Sequence, residues 1–113
     1  MARAIALYEE SATLNRNVGY MPGVAESIER FALIAHDMEQ PERAARLFGV
    51  AEALRTAIGA PLPPADSNAY DRTITNARAV LGADAFAAAW AAGAAGALED
   101  ALVEAFEGMS DEQ

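Results

Sequence analysis

Apolar positions recur at helical spacing along almost the whole chain, and no run alternates between apolar and polar residues as a strand would. Six segments carry such an apolar stripe: 3–18, 21–38, 41–58, 65–81, 84–92 and 97–107. The pattern therefore predicts an all-α protein of about six helices, followed by a frayed tail at 108–113.

Glycine and proline mark the predicted ends of these helices. Pro22 and Pro41 stand where a helix begins, a position at which the missing backbone N–H costs nothing. Gly59 stands where a helix ends, because glycine adopts the left-handed C-terminal conformation easily. Gly93 and Gly96 are predicted to interrupt the fifth helix.

The stretch IGAPLPP, residues 58–64, places three prolines between two predicted helices. A flexible linker would be rich in glycine and serine, whereas proline fixes φ and stiffens the chain. An exposed ligand for an SH3-type domain is the weaker interpretation. We expect a rigid boundary within one domain, 1–107, between repeat-like helices at 3–60 and a C-terminal helical cap at 65–107.

An internal repeat relates two of the predicted helices. When residues 3–19 are placed on residues 43–59, five positions are identical, and Tyr8 corresponds to Phe48. The glycine, arginine and leucine matches are not explained by the high alanine content. The repeating unit is therefore a pair of helices with a period of 40 residues.

The second copy of the repeat resembles a tetratricopeptide repeat. Small residues flank an aromatic one at Ala44, Phe48 and Ala51, with helix A at about 22–38 and helix B at about 41–58. This resemblance implies a fragment of an α-α superhelix. The repeat is longer than the usual 34 residues.

In this scheme residues 3–19 are a second helix B without a helix A before them. A solenoid unit cannot bury its apolar face alone. We therefore expect that the chain is part of a longer protein, or that it forms a homodimer through the N-terminal helix.

Charge and hydropathy limit the possible partners. The net charge is −9, and residues 61–113 contribute −7 of it, from nine acidic residues and two arginines. This surface would repel a phosphate backbone, so direct binding of nucleic acid is not expected. The most apolar stretch, 85–98, is too short to span a membrane. No secretory signal and no cysteine are present, and we expect a cytoplasmic protein with no membrane contact.

Two long segments, QPERAARLFGVAEALRTAIGAPLPP (40–64) and AYDRTITNARAVLGADAFAAAWAAGAAGALEDALVEA (69–105), resemble one region of large bacterial regulators. That region is the helical repeat near the C-terminus of LuxR-type and SARP-type transcriptional regulators and of cyclase-linked ATPases. The resemblance covers about residues 20–107 and implies a place in a signalling assembly. It transfers no DNA-binding or nucleotide-binding residue, because those belong to other modules of such proteins.

Aromatic side chains are the candidates for interaction or for the core: Tyr8, Phe31, Phe48, Tyr70, Phe86 and Trp90. Trp90 allows two interpretations, a binding anchor or a core residue. We favour the core, with Phe86, Tyr70 and Phe106 packed around it.

No residue pattern predicts catalysis. His36 is the only histidine, and one imidazole with neighbouring carboxylates near a helix end is not a metal-ligand set. Adjacent acids such as Glu9 and Glu10 diverge by about 100° on a helix and do not form a paired-carboxylate site. We expect neither an enzyme nor a metal or cofactor.

Two functions fit these observations. The first is a helical repeat module that binds a protein or peptide partner, or other domains of a longer chain, or senses a signal. The second is a stand-alone helical protein that binds a small molecule. A polar pocket with convergent donors beside Trp90 would favour the small molecule, and a flat or concave groove would favour a partner.

Overall fold

The structure, a computed structural model, describes residues 2–98 and 100–103. It contains five helices: α1 (Ala2–Asn17), α2 (Met21–Asp37), α3 (Pro41–Ile58), α4 (Pro64–Leu81) and α5 (Ala83–Ala95). Helical backbone is also present at Leu98 and at 100–103, within the predicted sixth helix. The described residues include no strand, so the prediction of an all-α protein is confirmed. The predicted tail at 108–113 and Phe106 lie outside them.

The helix boundaries follow the glycine and proline signals closely. α3 begins at Pro41 and ends before Gly59, whose φ of 67° lies in the left-handed region that glycine adopts without strain. The Gly59 N–H bonds to the Thr56 carbonyl, which closes the last turn. One prediction is wrong: Gly93 does not interrupt the fifth helix but lies inside α5.

Helix α3 is the central element of the fold, because α2 packs on one side of it and α5 on the other. Toward α2, Leu47 and Ala51 belong to a core that includes Phe31. A second, smaller apolar cluster joins α3 to α4 and α5 and consists of Ala45, Ala77, Phe86 and Ala89. Two faces of one helix are therefore buried.

Two glycines allow α3 and α5 to touch through their backbones. A Cβ atom built on Gly49 of α3 would overlap the carbonyl oxygen of Trp90. In turn, a Cβ on Gly93 of α5 would overlap the carbonyl oxygen of Arg46. This reciprocal contact explains why Gly93 lies within a helix: close packing offsets the roughly 1 kcal/mol that glycine costs there relative to alanine.

We predict that Gly49→Ala and Gly93→Ala each destabilise the protein. Glycine-to-alanine substitution in a helix is ordinarily stabilising, but here the new methyl group would push two backbones apart. The expected loss is about 1–3 kcal/mol in the free energy of unfolding, the usual cost of overpacking. Urea unfolding followed by circular dichroism measures it.

Gly96→Ala is the matched control, because its Cβ would meet only ordinary contacts, the nearest being the Ala92 carbonyl oxygen at 3.5 Å. Its φ of −79° suits any residue, so this variant should be at least as stable as the wild type. Equal stability of all three variants would contradict a close contact between α3 and α5.

Candidate binding cleft

Ring contacts link the predicted aromatic residues to one another in the structure. Tyr8 of α1 meets Phe31 of α2 edge to face, with ring centroids 6.2 Å apart. The other four join α3, α4 and α5 through ring contacts at 5.5–6.2 Å: Phe48 with Tyr70, Phe48 with Trp90, and Phe86 with Trp90. These four rings lie where the three helices converge, and three of them, Phe48, Tyr70 and Trp90, form one wall of a cleft.

A buried ion pair lies beside these rings. Arg55 of α3 donates from Nε and Nη2 to the two carboxylate oxygens of Glu29 on α2, at 2.7 and 2.9 Å. Both residues are less than 10% exposed. The remaining terminal nitrogen, Nη1, donates to the carbonyl oxygen of Ala60 at 3.1 Å. One guanidinium therefore connects α2, α3 and the stretch at residues 58–64, which we call the proline segment.

The Glu29 carboxylate raises the pKa of Arg55 above its already high usual value. Its hydrogen bonds to the charged form are the largest cause, and Coulomb attraction adds to them, while burial acts in the opposite direction. Because the pKa of a base is raised, the stabilisation is fully present at neutral pH. On the basic side it is lost as the pH rises through that high pKa.

A cleft of about 510 Å³ opens between α3, the proline segment, α4 and α5. The ion pair and the rings of Phe48, Tyr70 and Trp90 line its inner part, together with the apolar side chains of Leu62 and Ile74. The remaining lining residues are solvent-exposed and leave one side open: Glu52, Thr56, Gly59, Pro61 and Asp71. The cleft is thus an apolar, aromatic-walled groove with carboxylates at its open side.

Trp90 lies at the edge between the core and the cleft. Its ring stacks on Phe48, and the side chain is half-buried rather than fully enclosed. The indole N–H donates to Oε1 of Glu52 on α3, at 3.1 Å. Trp90 thus packs against the core and also lines the cleft.

The N-terminal part of the chain presents a second surface feature, an apolar stripe made by Leu7 and Leu14 of α1 and by Val18 just after its end. Their exposed fractions are 59%, 57% and 78%. Tyr8 and Ala12 on another face of the same helix belong to or pack against the core. In the internal repeat, the residue that corresponds to Leu7 is Leu47, which is 3% exposed in the core that includes α2. The face of α1 that corresponds to this buried face of α3 is therefore open.

Among the described residues that line the cleft there is no histidine and no serine. Among the residues that the structure describes, no three His, Asp or Glu side chains cluster as metal ligands would. His36 lies outside the cleft lining, half-buried near the C-terminus of α2. Within the same described residues, no helix has the length and hydropathy that spanning a bilayer requires.

Sequence reasoning missed three features of this site. It did not single out Glu29 or connect it with Arg55, 26 positions later. It also missed Gly49 in the middle of α3. A signal existed for the pair: Glu29 and Arg55 each fall on a helix face that is otherwise apolar, where a charge requires a partner. No local signal places Glu52 opposite Trp90.

We predict that Glu29→Gln destabilises the protein by about 3 kcal/mol, because it leaves the buried Arg55 guanidinium without its counter-charge. Replacing both residues by Met should cost less than Glu29→Gln alone, since no buried charge remains. Urea unfolding at neutral pH measures both effects. A loss below about 0.5 kcal/mol for Glu29→Gln, as found for surface substitutions, would contradict the buried pair.

Comparison of the chain with protein-family models, with curated proteins and with solved structures found no match in any of the three. The resemblance to bacterial regulators consequently stays a prediction from the sequence. The geometry of the cleft and the open face of α1 are the observations on which a function can be argued.

Proposed function

We propose that this protein is a non-enzymatic helical module that binds a segment of a protein partner in the cleft between α3, α4 and α5. The observation that carries this proposal is the cleft itself, an aromatic-walled groove that is open along one side. Trp90 provides the kind of partly exposed, rigid aromatic anchor on which binding surfaces rely.

The open side favours a peptide over an enclosed ligand. A peptide enters a groove from one side and continues beyond it, so it needs exposed rims such as Glu52 and Asp71. Small-molecule binding is the second candidate, and one observation favours it. The volume of about 510 Å³ falls within the range usual for small-molecule sites.

The order of the helices also supports a repeat-type scaffold. α2 and α3 are the helical pair that resembles a tetratricopeptide repeat, and α1 packs against α2. We place the module in the cytoplasm, as the helical repeat of a larger bacterial transcriptional regulator. The support for that context is the sequence resemblance alone.

We propose further that the exposed stripe Leu7, Leu14 and Val18 is the contact between two copies of the chain. The supporting observation is the internal repeat, because the corresponding positions of α3, Leu47, Leu54 and Ile58, are buried or half-buried. The apolar face of α3 is covered within the chain, whereas the corresponding face of α1 is exposed. The α1 helix of a second copy would cover that exposed face.

Selection of peptides from an unbiased display library tests the cleft. Thr56→Phe places a ring in the cleft from an exposed position, and Ala57→Phe places the same ring on the neighbouring exposed position outside it. We expect selected peptides to bind the wild type and the Ala57→Phe variant with equal affinity. Their affinity for Thr56→Phe should fall at least about tenfold, because the cleft is filled.

Binding can be followed directly, since Trp90 is the only tryptophan and its fluorescence reports on the cleft. If every selected peptide binds Thr56→Phe as well as the wild type, the cleft is not the binding site. If no peptide is selected and a library of small molecules raises the melting temperature of the wild type but not of Thr56→Phe, small-molecule binding replaces the proposal.

Sedimentation equilibrium tests the contact through α1. We expect the wild type to form dimers, and the double variant Leu7→Glu, Leu14→Glu to sediment as a monomer of about 11.9 kDa. The reason is that two charges in an apolar contact face cost far more than on an exposed surface.

The control for that experiment is Ala6→Glu with Thr13→Glu. It adds the same charge to exposed positions of α1 outside the stripe, and it should remain a dimer. A wild type that is monomeric at 100 μM, or a control that dissociates equally, would contradict the proposed contact.

A further inference from the structure

We propose that the cleft recognises a positively charged side chain, an arginine or a lysine, flanked by apolar residues in a peptide. This inference rests on the proposed function and specifies its ligand. Three observations carry it: the charge of the lining, the commitment of its one cation, and the position of the aromatic wall.

The lining has an excess of negative charge. Among the lining residues that the structure describes, four have a carboxylate or guanidinium group: Glu29, Glu52, Arg55 and Asp71. Glu29 and Arg55 neutralise each other in the buried pair. The two remaining carboxylates, Glu52 and Asp71, lie on α3 and α4 at the solvent-exposed side of the cleft. They approach the entrance from two helices, so that a cation entering the cleft meets negative charge from both.

The arginine in the lining is not available to an acidic ligand. Nε and Nη2 of Arg55 donate to Glu29, and Nη1 donates to the Ala60 carbonyl. A ligand carboxylate or phosphate would have to break the bidentate pair and would then leave Glu29 buried without a counter-charge. The cleft therefore discriminates against anions as well as attracting cations.

The aromatic wall suits both the charged group of such a ligand and the apolar residues beside it. Trp90 is half-buried in the wall of the cleft, and indole is the aromatic ring that attracts cations most strongly. Glu52 accepts the indole N–H through Oε1, which fixes the carboxylate next to the ring. A carboxylate has room for further donors, so Glu52 can accept from a guanidinium or an ammonium group at the same time. Leu62 and Ile74 line the interior, where apolar neighbours of the charged residue would be buried.

The experiment uses the full chain and a defined set of five-residue peptides with blocked ends. The central residue is arginine or citrulline, which has the same shape without the charge, and the flanking positions are Leu, Ile, Val or Phe in all combinations. Titrations are followed by the fluorescence of Trp90. We expect the best arginine peptide to bind at least about tenfold more tightly than its citrulline counterpart, and the difference to shrink as salt is added.

Variants then locate the charge effect. The double variant Glu52→Gln, Asp71→Asn should weaken binding of the arginine peptide at least about tenfold and leave the citrulline peptide unchanged. Glu10→Gln removes a carboxylate from an exposed position of α1 outside the cleft and should change neither. Circular dichroism of the variants establishes that all are folded before binding is compared.

Each contrary outcome has a separate meaning. Citrulline peptides that bind as tightly as arginine peptides would overturn the charge recognition while leaving the proposed binding cleft intact. An arginine peptide that keeps its affinity for the double variant would overturn the roles of Glu52 and Asp71. If butylguanidinium alone binds as tightly as the best peptide, or if no peptide of the set saturates, an arginine flanked by apolar residues is not the ligand. The display selection decides independently whether the cleft binds anything.

Discussion

The close contact between α3 and α5 is the constraint on which the rest of the structure depends. Gly49 lies against the backbone of Trp90, and Gly93 lies against the backbone of Arg46. With no side chain between them, the two helices approach until the Trp90 ring stacks on Phe48. A larger residue at either glycine would move Trp90 away from α3, and with it the wall of the cleft and the hydrogen bond to Glu52.

The buried pair of Glu29 and Arg55 fixes the position of α2 on α3, as the glycine contacts fix the position of α5. Its two hydrogen bonds connect α2 to α3, and a third connects α3 to Ala60 at the start of the proline segment. Leu62 packs against the core just beyond it. The proline segment is therefore part of the cleft, held by a charge-assisted hydrogen bond as well as by the fixed φ of its prolines.

Helical periodicity was sufficient to predict the fold class and most helix boundaries, including Met21 and Pro41 as helix starts. It gave the wrong result at Gly93, because helix propensity depends on local sequence alone. The backbone of α3 that packs against Gly93, and makes a small residue favourable there, is far away in sequence. It was incomplete at Trp90, where apolar character predicts burial but not which part of the ring stays exposed. It did not find the partners of Arg55 and Glu52, since both contacts join residues far apart in sequence.

The sequence by itself determined the all-helical architecture, the internal repeat and the negative charge, because these follow from local spacing and composition. The tertiary structure alone decided which helices are in contact and which charged side chains remain exposed at the surface. Glu29 and Arg55 cancel each other inside the protein, while Glu52 and Asp71 remain at the open side of the cleft. The physical reason is that burial and charge pairing depend on contacts between distant segments, and one sequence pattern is compatible with many such sets of contacts.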